Sequence, residues 1–157
     1  MTTKAFVRSR VAMTYWQEDI NCAATSLKVL AEAFGVGLAP QVIAAATGMH
    51  GAGRYGAQCG LVEGALMFAG IYGRIHGLPE ETVADACRRF AALFEKRFGS
   101  LQCRVLRPQG FKEGHPSHLC EPITNDALMV AIDFIRQWQP SALSAGRRWK
   151  AGPSPSP

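Results

Sequence analysis

The stretch from Cys59 to Gly73 contains only one charged residue, Glu63. A helix that is apolar on nearly all sides is buried between other helices. Gly60 and Gly64 lie one turn apart on the same side of this stretch, and each costs a soluble helix roughly 1 kcal/mol relative to alanine. We therefore expect a buried central helix rich in glycine and alanine, whose glycines let a neighbouring helix or a bound group approach closely beside Cys59.

Apolar residues at helical spacing predict further helices around this one. Asn21 is a good N-cap for a helix that ends near Gly35. Pro79 suits the first turn of a helix that ends near Gly99. A short helix after residue 40 and a last helix capped by Thr124 complete the set, and no segment has a convincing strand pattern. The pattern therefore predicts an all-α fold.

The size and composition of the chain fit one globular domain. With 157 residues, of which 48% are hydrophobic, the chain is large enough for a core of its own. We expect a single compact helical domain of about five helices over residues 1–139. Serine, proline, glycine and alanine dominate residues 140–157, so we expect a disordered C-terminal tail there.

The charge distribution and the absence of an apolar run limit the cellular locations and the classes of partner that we expect. No apolar run is long enough to cross a membrane. The basic residues near the N-terminus are not followed by an apolar stretch, so we expect no secretory signal and a cytoplasmic location. Part of the net charge of +5 comes from Arg147, Arg148 and Lys150 in the expected tail, where charge says little about what the fold recognises. We therefore expect neither a nucleic-acid partner nor a membrane partner.

Four of the five cysteines lie at predicted helix starts or in Gly/Pro-rich connections, namely Cys22, Cys59, Cys103 and Cys120. A thiol in such a position is often partly exposed and near backbone N–H groups, which favours the reactive thiolate. The fifth, Cys87, falls on the apolar stripe of its helix, and we expect it to pack in the core. Because structural disulfides are uncommon in the cytoplasm, the four-cysteine set indicates a metal-binding or catalytic role.

The spacing of these cysteines does not decide between the two roles. Four thiolates are the number that an Fe–S cluster or a structural zinc ion needs. The separations of 37, 44 and 17 residues lack the C-x-x-C pairs of zinc ribbons and ferredoxins, and equally the paired cysteines of thioredoxin-like enzymes. Four unrelated buried cysteines are a further alternative on pattern alone.

Two irregular segments carry additional candidate groups. The glycine-rich loop 48–56 contains His50, which would lower the pKa of the following thiol if it were close and protonated. The long connection 100–122 contains His115 and His118, which are soft ligands near the last site cysteine. For each histidine an ordinary solvated position is the commoner case.

Four segments form an ordered pattern along the chain: Asn21-Cys22-Ala23, the run from Gly56 to Gly70 that begins Gly-Ala-Gln-Cys-Gly, Phe98-Gly-Ser-Leu-Gln-Cys103, and His118-Leu-Cys120. This pattern resembles the C_GCAxxG_C_C family, which is named for its cysteines. The resemblance covers residues 21–137 and leaves Cys87 outside the pattern. Two departures are that Leu61 stands where the family commonly has a small residue, and that the histidines at 115 and 118 are not a family hallmark.

The resemblance implies an all-helical fold and a redox or Fe–S role. We therefore expect a redox-active protein in which four cysteines converge to hold an Fe–S cluster or another metal centre for electron transfer: Cys22, Cys59, Cys103 and Cys120. Gly60 and Gly64 are expected to contact the cofactor.

Two alternatives use the same fold. One is a thiol/disulfide oxidoreductase with the same cysteines, in which Cys59 is the nucleophile because a helix start lowers its pKa. The other is a non-enzymatic helical adaptor whose cysteines only pack. A redox role implies an unidentified redox partner protein, and Tyr15, Trp16 and Phe111 would suit the interface of a homodimer.

Overall fold

The structure, a computed structural model, describes residues 1–107, 109, 110, 112 and 114–143, with side chains described as far as residue 138. Single 3₁₀ turns span Ala46–Gly48 and Ser117–Cys120. The described residues contain no β-strand. The all-α prediction is confirmed. Within the described residues, the fold consists of seven α-helices: α1 Thr3–Trp16, α2 Cys22–Ala33, α3 Pro40–Ala45, α4 Gly60–Ile75, α5 Glu80–Phe98, α6 Cys103–Leu106 and α7 Glu121–Leu143.

The central helix is α4, and it is buried as the sequence predicts. It packs against α2, α5 and α7, and Phe68 and Tyr72 are among its buried side chains. A Cβ on Gly64 would stand 2.3 Å from the carbonyl oxygen of Ala23 in α2, so only glycine permits this crossing of the two helices. The close approach that the glycines predict is therefore the approach of a neighbouring helix.

The N-terminal helix α1 is not predicted by the sequence pattern. The hydroxyl of Thr2 caps it by accepting a hydrogen bond from the N–H of Ala5 at 3.2 Å. Its buried side consists of Val7, Val11 and the pair at 14 and 15, and this side packs along α7 and α2. Because the buried stripe is short and partly polar, its helical period is weak. With α1 included, five helices are longer than ten residues.

The two predicted N-caps have different outcomes. Asn21 caps α2 as predicted, because its Oδ1 accepts hydrogen bonds from the N–H groups of Ala23 at 2.9 Å and Ala24 at 3.0 Å. The prediction that Thr124 caps the last helix is wrong, because α7 begins at Glu121. Thr124 lies inside the first turn, and its hydroxyl donates to the carbonyl oxygen four residues earlier. This bonding mode is open to a threonine inside a helix.

At its other end, α7 continues to Leu143. The predicted boundary after residue 139 falls inside this helix, because the helix runs through Pro140 instead of stopping before it. Residues 144–157 of the expected tail lie outside the described residues. No described helix has the combination of length and hydropathy that a membrane span requires.

Candidate functional site

All four predicted site cysteines lie where a helix begins. Cys22 is the first residue of α2, Cys59 directly precedes α4, Cys103 is the first residue of α6, and Cys120 directly precedes α7. The fifth cysteine, Cys87, lies in the middle of α5, where it is half-buried and packs against the core. Cys87 lies on the helix stripe that the sequence predicts, but it is less buried than Cys22, Cys59 and Cys103, so the expectation that the site thiols are the more exposed ones is wrong for these three.

The four site cysteines line one cavity, and Cys87 does not. All of them are free thiols. Three of them, Cys22, Cys59 and Cys103, are at most 9% exposed, whereas Cys120 is half-buried. The space inside the cavity is about 20 Å³, which is room for roughly one water molecule. The folded chain thus brings together four thiols that are far apart in sequence.

A short backbone pairing joins the segments that carry Cys59 and Cys103. The N–H of Cys59 donates to the carbonyl oxygen of Leu101, and the N–H of Cys103 donates to that of Ala57, each at 2.7 Å. These bonds flank an isolated antiparallel bridge. Because alternate residues of an extended segment point to the same face, the bridge directs both thiols to the same side.

Two glycines let cysteines pack directly against neighbouring backbone. A Cβ on Gly60 would stand 2.4 Å from the Sγ of Cys22, and a Cβ on Gly51 would stand 2.9 Å from the Cβ of Cys103. Gly60 and Gly64 both face α2, and neither lines the cavity. The structure thus gives these two glycines a helix-packing role, and their contact with a cofactor stays a prediction.

The predicted glycine-rich loop contains a left-handed turn, Gly51–Arg54, whose four residues have φ values from 52° to 73°. Residues other than glycine lose roughly 1–2 kcal/mol in this conformation, and Ala52 and Arg54 both adopt it. The turn seats Gly51 against Cys103 and brings Arg54 to the wall of the cavity. The loop is therefore an ordered part of the site.

A buried hydrogen-bond chain fixes the backbone at Cys120. The hydroxyl of Thr124 donates to the carbonyl oxygen of Cys120 at 2.8 Å and lies 2.7 Å from the hydroxyl of Tyr15. Because a threonine hydroxyl has one hydrogen, Tyr15 is the donor in the second bond. Tyr15 is only 3% exposed, so the prediction that it serves a dimer interface is wrong. Trp16 is 62% exposed, and Phe111 lies outside the described residues.

Burial holds three of the thiols in the protonated form. It raises the pKa of Cys59 to about 12, raises the pKa of Cys22 well above its ordinary value, and raises that of Cys120. For Cys22, the neighbouring thiolates add to the effect of burial. The prediction that a helix start lowers the pKa of Cys59 is wrong, because the loss of solvation outweighs the hydrogen bonds from the backbone N–H groups of Leu61 and Val62.

Basic side chains form part of the same cavity wall, namely His50, Arg54, Arg107 and His115. Burial, followed by the charge of Arg54, lowers the pKa of His50, so this imidazole is neutral at pH 7 and does not favour a thiolate. Burial raises the pKa of Cys120, and the positive charge of Arg107 opposes that rise. Arg107 also donates a hydrogen bond to the carbonyl oxygen of His115 at 3.1 Å.

Of the two histidines near the last cysteine, only His115 lines the cavity. His118 stacks on Trp16 with ring centroids 4.2 Å apart. The sequence did not identify Arg54 or Arg107 as site residues. One available signal is that Arg107 follows the third site cysteine by four residues, which is one helical turn.

The donor chemistry of the cavity fits a metal centre, although the spacing of the donors is not that of a loaded one. No three His, Cys, Asp or Glu side chains within the described part of the chain are grouped to hold a metal ion. Four thiols that line one cavity nevertheless match in number and type the ligands of an Fe–S cluster or a zinc ion. Leu61, Leu106 and Ile123 make part of the remaining wall apolar. The thiols would have to draw together around a metal.

A family model described as "Putative redox-active protein (C_GCAxxG_C_C)" matches residues 20–134. The matched segment begins just before α2, includes all four cavity cysteines and ends within α7. No curated protein matches the chain, and no solved structure matches it either.

Proposed function

Because the chain belongs to the C_GCAxxG_C_C family of redox-active proteins, we propose that it is an electron-transfer protein with a four-cysteine metal centre. The proposed ligands are Cys22, Cys59, Cys103 and Cys120, and the proposed cofactor is an Fe–S cluster. The proposal depends on one observation above all, which is that these four thiols line a single cavity.

The burial of the thiols favours metal ligation over thiol exchange. A thiol that attacks a disulfide must be accessible and partly ionised. Here three of the thiols are at most 9% exposed, and burial raises the pKa of Cys59 to about 12. A bound metal ion supplies the positive charge that stabilises a buried thiolate, so a thiol that coordinates the metal loses its proton. Metal uptake is therefore expected to release protons.

The remaining side chains of the cavity suit an anionic metal–thiolate centre. Four thiolate ligands bring more negative charge than the metal neutralises, and Arg54 and Arg107 on the wall offset part of it. Leu61, Leu106 and Ile123 limit the access of water, which tunes the properties of such a site. A bound Fe–S cluster would supply one-electron chemistry, and the part of the protein is to hold and shield it.

Iron and acid-labile sulfide analysis of protein purified without oxygen tests the proposal. We expect stoichiometric iron and sulfide with visible absorbance, and their loss in Cys59→Ser and Cys103→Ser. Cys87→Ser is the matched control and keeps both, because Cys87 does not line the cavity. Folded wild-type protein that holds no metal, even after anaerobic reconstitution with iron and sulfide, would contradict the proposal.

Thiol/disulfide exchange with the same cysteines is the second candidate. One observation supports it, which is that the described residues contain no group of three or more ligands spaced for a metal ion. Cys120 would then react first, since it is the least buried of the four. Oxidation would give a metal-free protein that has lost two titratable thiols per disulfide. A helical adaptor would show neither metal nor disulfide in the same analysis.

A further inference from the structure

Helix α1 is joined to the backbone of Cys120 by a buried chain of two hydroxyl groups. Tyr15 donates a hydrogen bond to Thr124 over 2.7 Å, and Thr124 donates to the carbonyl oxygen of Cys120 over 2.8 Å. Tyr15 is 3% exposed and Thr124 is fully buried. If one of the two hydroxyls were removed, its partner would be left buried without that hydrogen bond, which costs free energy. The chain therefore ties Cys120 to α1 from the interior of the fold.

The next residue of α1, Trp16, contacts the residues on both sides of the same cysteine. Its ring stacks on His118, two residues before Cys120, with ring centroids 4.2 Å apart. Its indole N–H donates to a carboxylate oxygen of Glu121, directly after Cys120, over 2.9 Å. Trp16 is 62% exposed, so these contacts lie at the surface. Two adjacent residues of α1 thus hold one short segment, one from the core and one from the solvent side.

The other three site cysteines are placed by different contacts. The antiparallel bridge positions Cys59 and Cys103, and the close approach of Gly60 seats Cys22. The least buried of the four thiols is Cys120, and it follows the long connection instead of a paired segment. Its position in the cavity therefore depends on α1 more than the positions of the other three do.

We infer that Tyr15 and Trp16 are positioning residues, which hold Cys120 in the cavity so that it acts together with the other three thiols. The segment that matches the family model begins at residue 20, after the end of α1, so the family pattern assigns no part of the site to this helix. The inference deepens the proposed function and rests on it for the role of Cys120 as a ligand. Groups that orient a metal ligand typically change the metal affinity by about tenfold or more when they are removed.

Alkylation of the reduced, metal-free full chain by iodoacetamide measures the placement of Cys120 without any metal. Peptide mass spectrometry gives the rate at Cys120, and Cys87 in the same sample is the internal reference. Thr124→Val keeps the shape of the side chain and removes its hydroxyl, whereas Thr124→Ser keeps the hydroxyl. Thr14→Val is the matched control, because the hydroxyl of Thr14 is also buried but donates to the carbonyl oxygen of Val11 in its own helix.

We expect Thr124→Val to raise the rate at Cys120 by about fivefold, because the segment loses the hydrogen bond to its backbone and opens more often. Tyr15→Phe should raise it by about threefold, since the bond from Thr124 to Cys120 remains. Trp16→Ala should also raise it by about threefold through the loss of the ring contact. Thr124→Ser and Thr14→Val should leave the rate unchanged.

The reactivity of the other thiols separates positioning from a general loss of stability. A destabilised fold would open as a whole, and the rates at Cys22 and Cys59 would then rise together with the rate at Cys120. We expect these two rates to keep their wild-type values. Cobalt(II) titration gives a second measurement, in which Thr124→Val binds cobalt about tenfold more weakly than the wild type does and Thr124→Ser restores the affinity.

Two alkylation results would overturn the positioning role: a rate at Cys120 that is the same in Thr124→Val and Trp16→Ala as in the wild type, and equal increases at Cys22 and Cys59. If Thr124→Val does not fold, Trp16→Ala decides the question, because it changes only an exposed side chain. A selective increase at Cys120 in a chain that takes up no metal would refute the metal centre alone. Iron uptake with an unchanged rate at Cys120 in the variants would refute the positioning role alone.

Discussion

At Gly64 the helix crossing leaves no space for a side chain, since a Cβ there would stand 2.3 Å from the carbonyl oxygen of Ala23 and 2.8 Å from the Cβ of Ser26. Gly64→Ala must therefore push α2 and α4 apart, and we expect it to lower the free energy of unfolding by about 3 kcal/mol. Gly70→Ala is the control in the same helix, because nothing lies within 4 Å of its Cβ position.

Gly70→Ala should raise the free energy of unfolding by about 1 kcal/mol through helix propensity. Urea denaturation measures both variants. If Gly64→Ala were as stable as the wild type, the two helices would not be in the contact described.

Cys59 makes the stability depend on alkaline pH. Its pKa is about 12 in the fold and about 8.5 in an unfolded chain. Between these values the unfolded state binds fewer protons, so the free energy of unfolding falls as pH rises. In Cys59→Ala, the free energy of unfolding should fall less steeply with pH, by up to about 1.4 kcal/mol per pH unit. Denaturation at pH values from 8 to 11 measures this slope.

Cys87→Ala is the comparison variant for the alkaline dependence, because Cys87 is only half-buried and lies outside the cavity. Burial raises the pKa of Cys87 too, so Cys87→Ala should also reduce the decline with pH, but by less than Cys59→Ala does. If the curve of Cys59→Ala ran parallel to the wild type over this range, Cys59 would not be the buried thiol described.

For Cys59, the sequence predicts the position of the residue but not its pKa. The position of Cys59, directly before a helix with two glycines, marks it as a candidate site residue. Its pKa cannot be predicted in the same way, because ionisation depends on how far the folded chain removes the thiol from water. The helix-start effect is local and visible in the sequence, whereas the larger effect of burial comes from the tertiary fold.

Among the elements, the left-handed turn Gly51–Arg54 offers a matched pair of substitutions. Gly51 and Gly53 have φ values of 68° and 62°, so alanine at either position should cost about 1 kcal/mol in backbone strain. Only Gly51 contacts Cys103, and nothing lies within 4 Å of a Cβ at Gly53. We therefore expect Gly51→Ala to cost about 2 kcal/mol more than Gly53→Ala.

Thermal or urea unfolding gives the difference between the two turn variants, and alkylation of Cys103 reports the local change. Gly51→Ala should make Cys103 react faster with iodoacetamide, since the added methyl group displaces a thiol that is 6% exposed. Equal stability and equal Cys103 reactivity in the two variants would show that the turn does not seat this cysteine.

The elements that sequence reasoning found are those with strong local signals. Helix α2 has its Asn21 cap, and α4 has an apolar surface interrupted by one charge. Helix α1 has only a short and partly polar buried side, so its local signal is weak. Thr124 has the right residue type for a cap but lies within α7. Packing between α1 and α7, with the hydrogen bond from Tyr15 to Thr124, stabilises helix α1 and holds Thr124 inside α7. The local sequence pattern does not indicate either outcome.

For the whole molecule, the convergence of the cysteines depends on contacts between distant parts of the chain. The pairing of residues 57–59 with 101–103 positions two of the thiols, and the bond between residues 15 and 124 supports a third. The separations of 37, 44 and 17 residues between the four site cysteines do not indicate these contacts. For this reason the family resemblance, and not the spacing, carried the prediction of one site.

Cobalt(II) titration of the reduced full-length chain, under nitrogen, asks whether the four thiols act as a single centre. Cobalt(II) binds the same soft ligands as zinc, and its bonds to thiolate give an absorption band that counts them. We expect about one cobalt per chain, with a band that weakens when any one of Cys22, Cys59, Cys103 and Cys120 is replaced by serine and that is unchanged in Cys87→Ser. A wild-type chain that binds no cobalt, or a band that survives the loss of two of these four thiols, would refute the single centre.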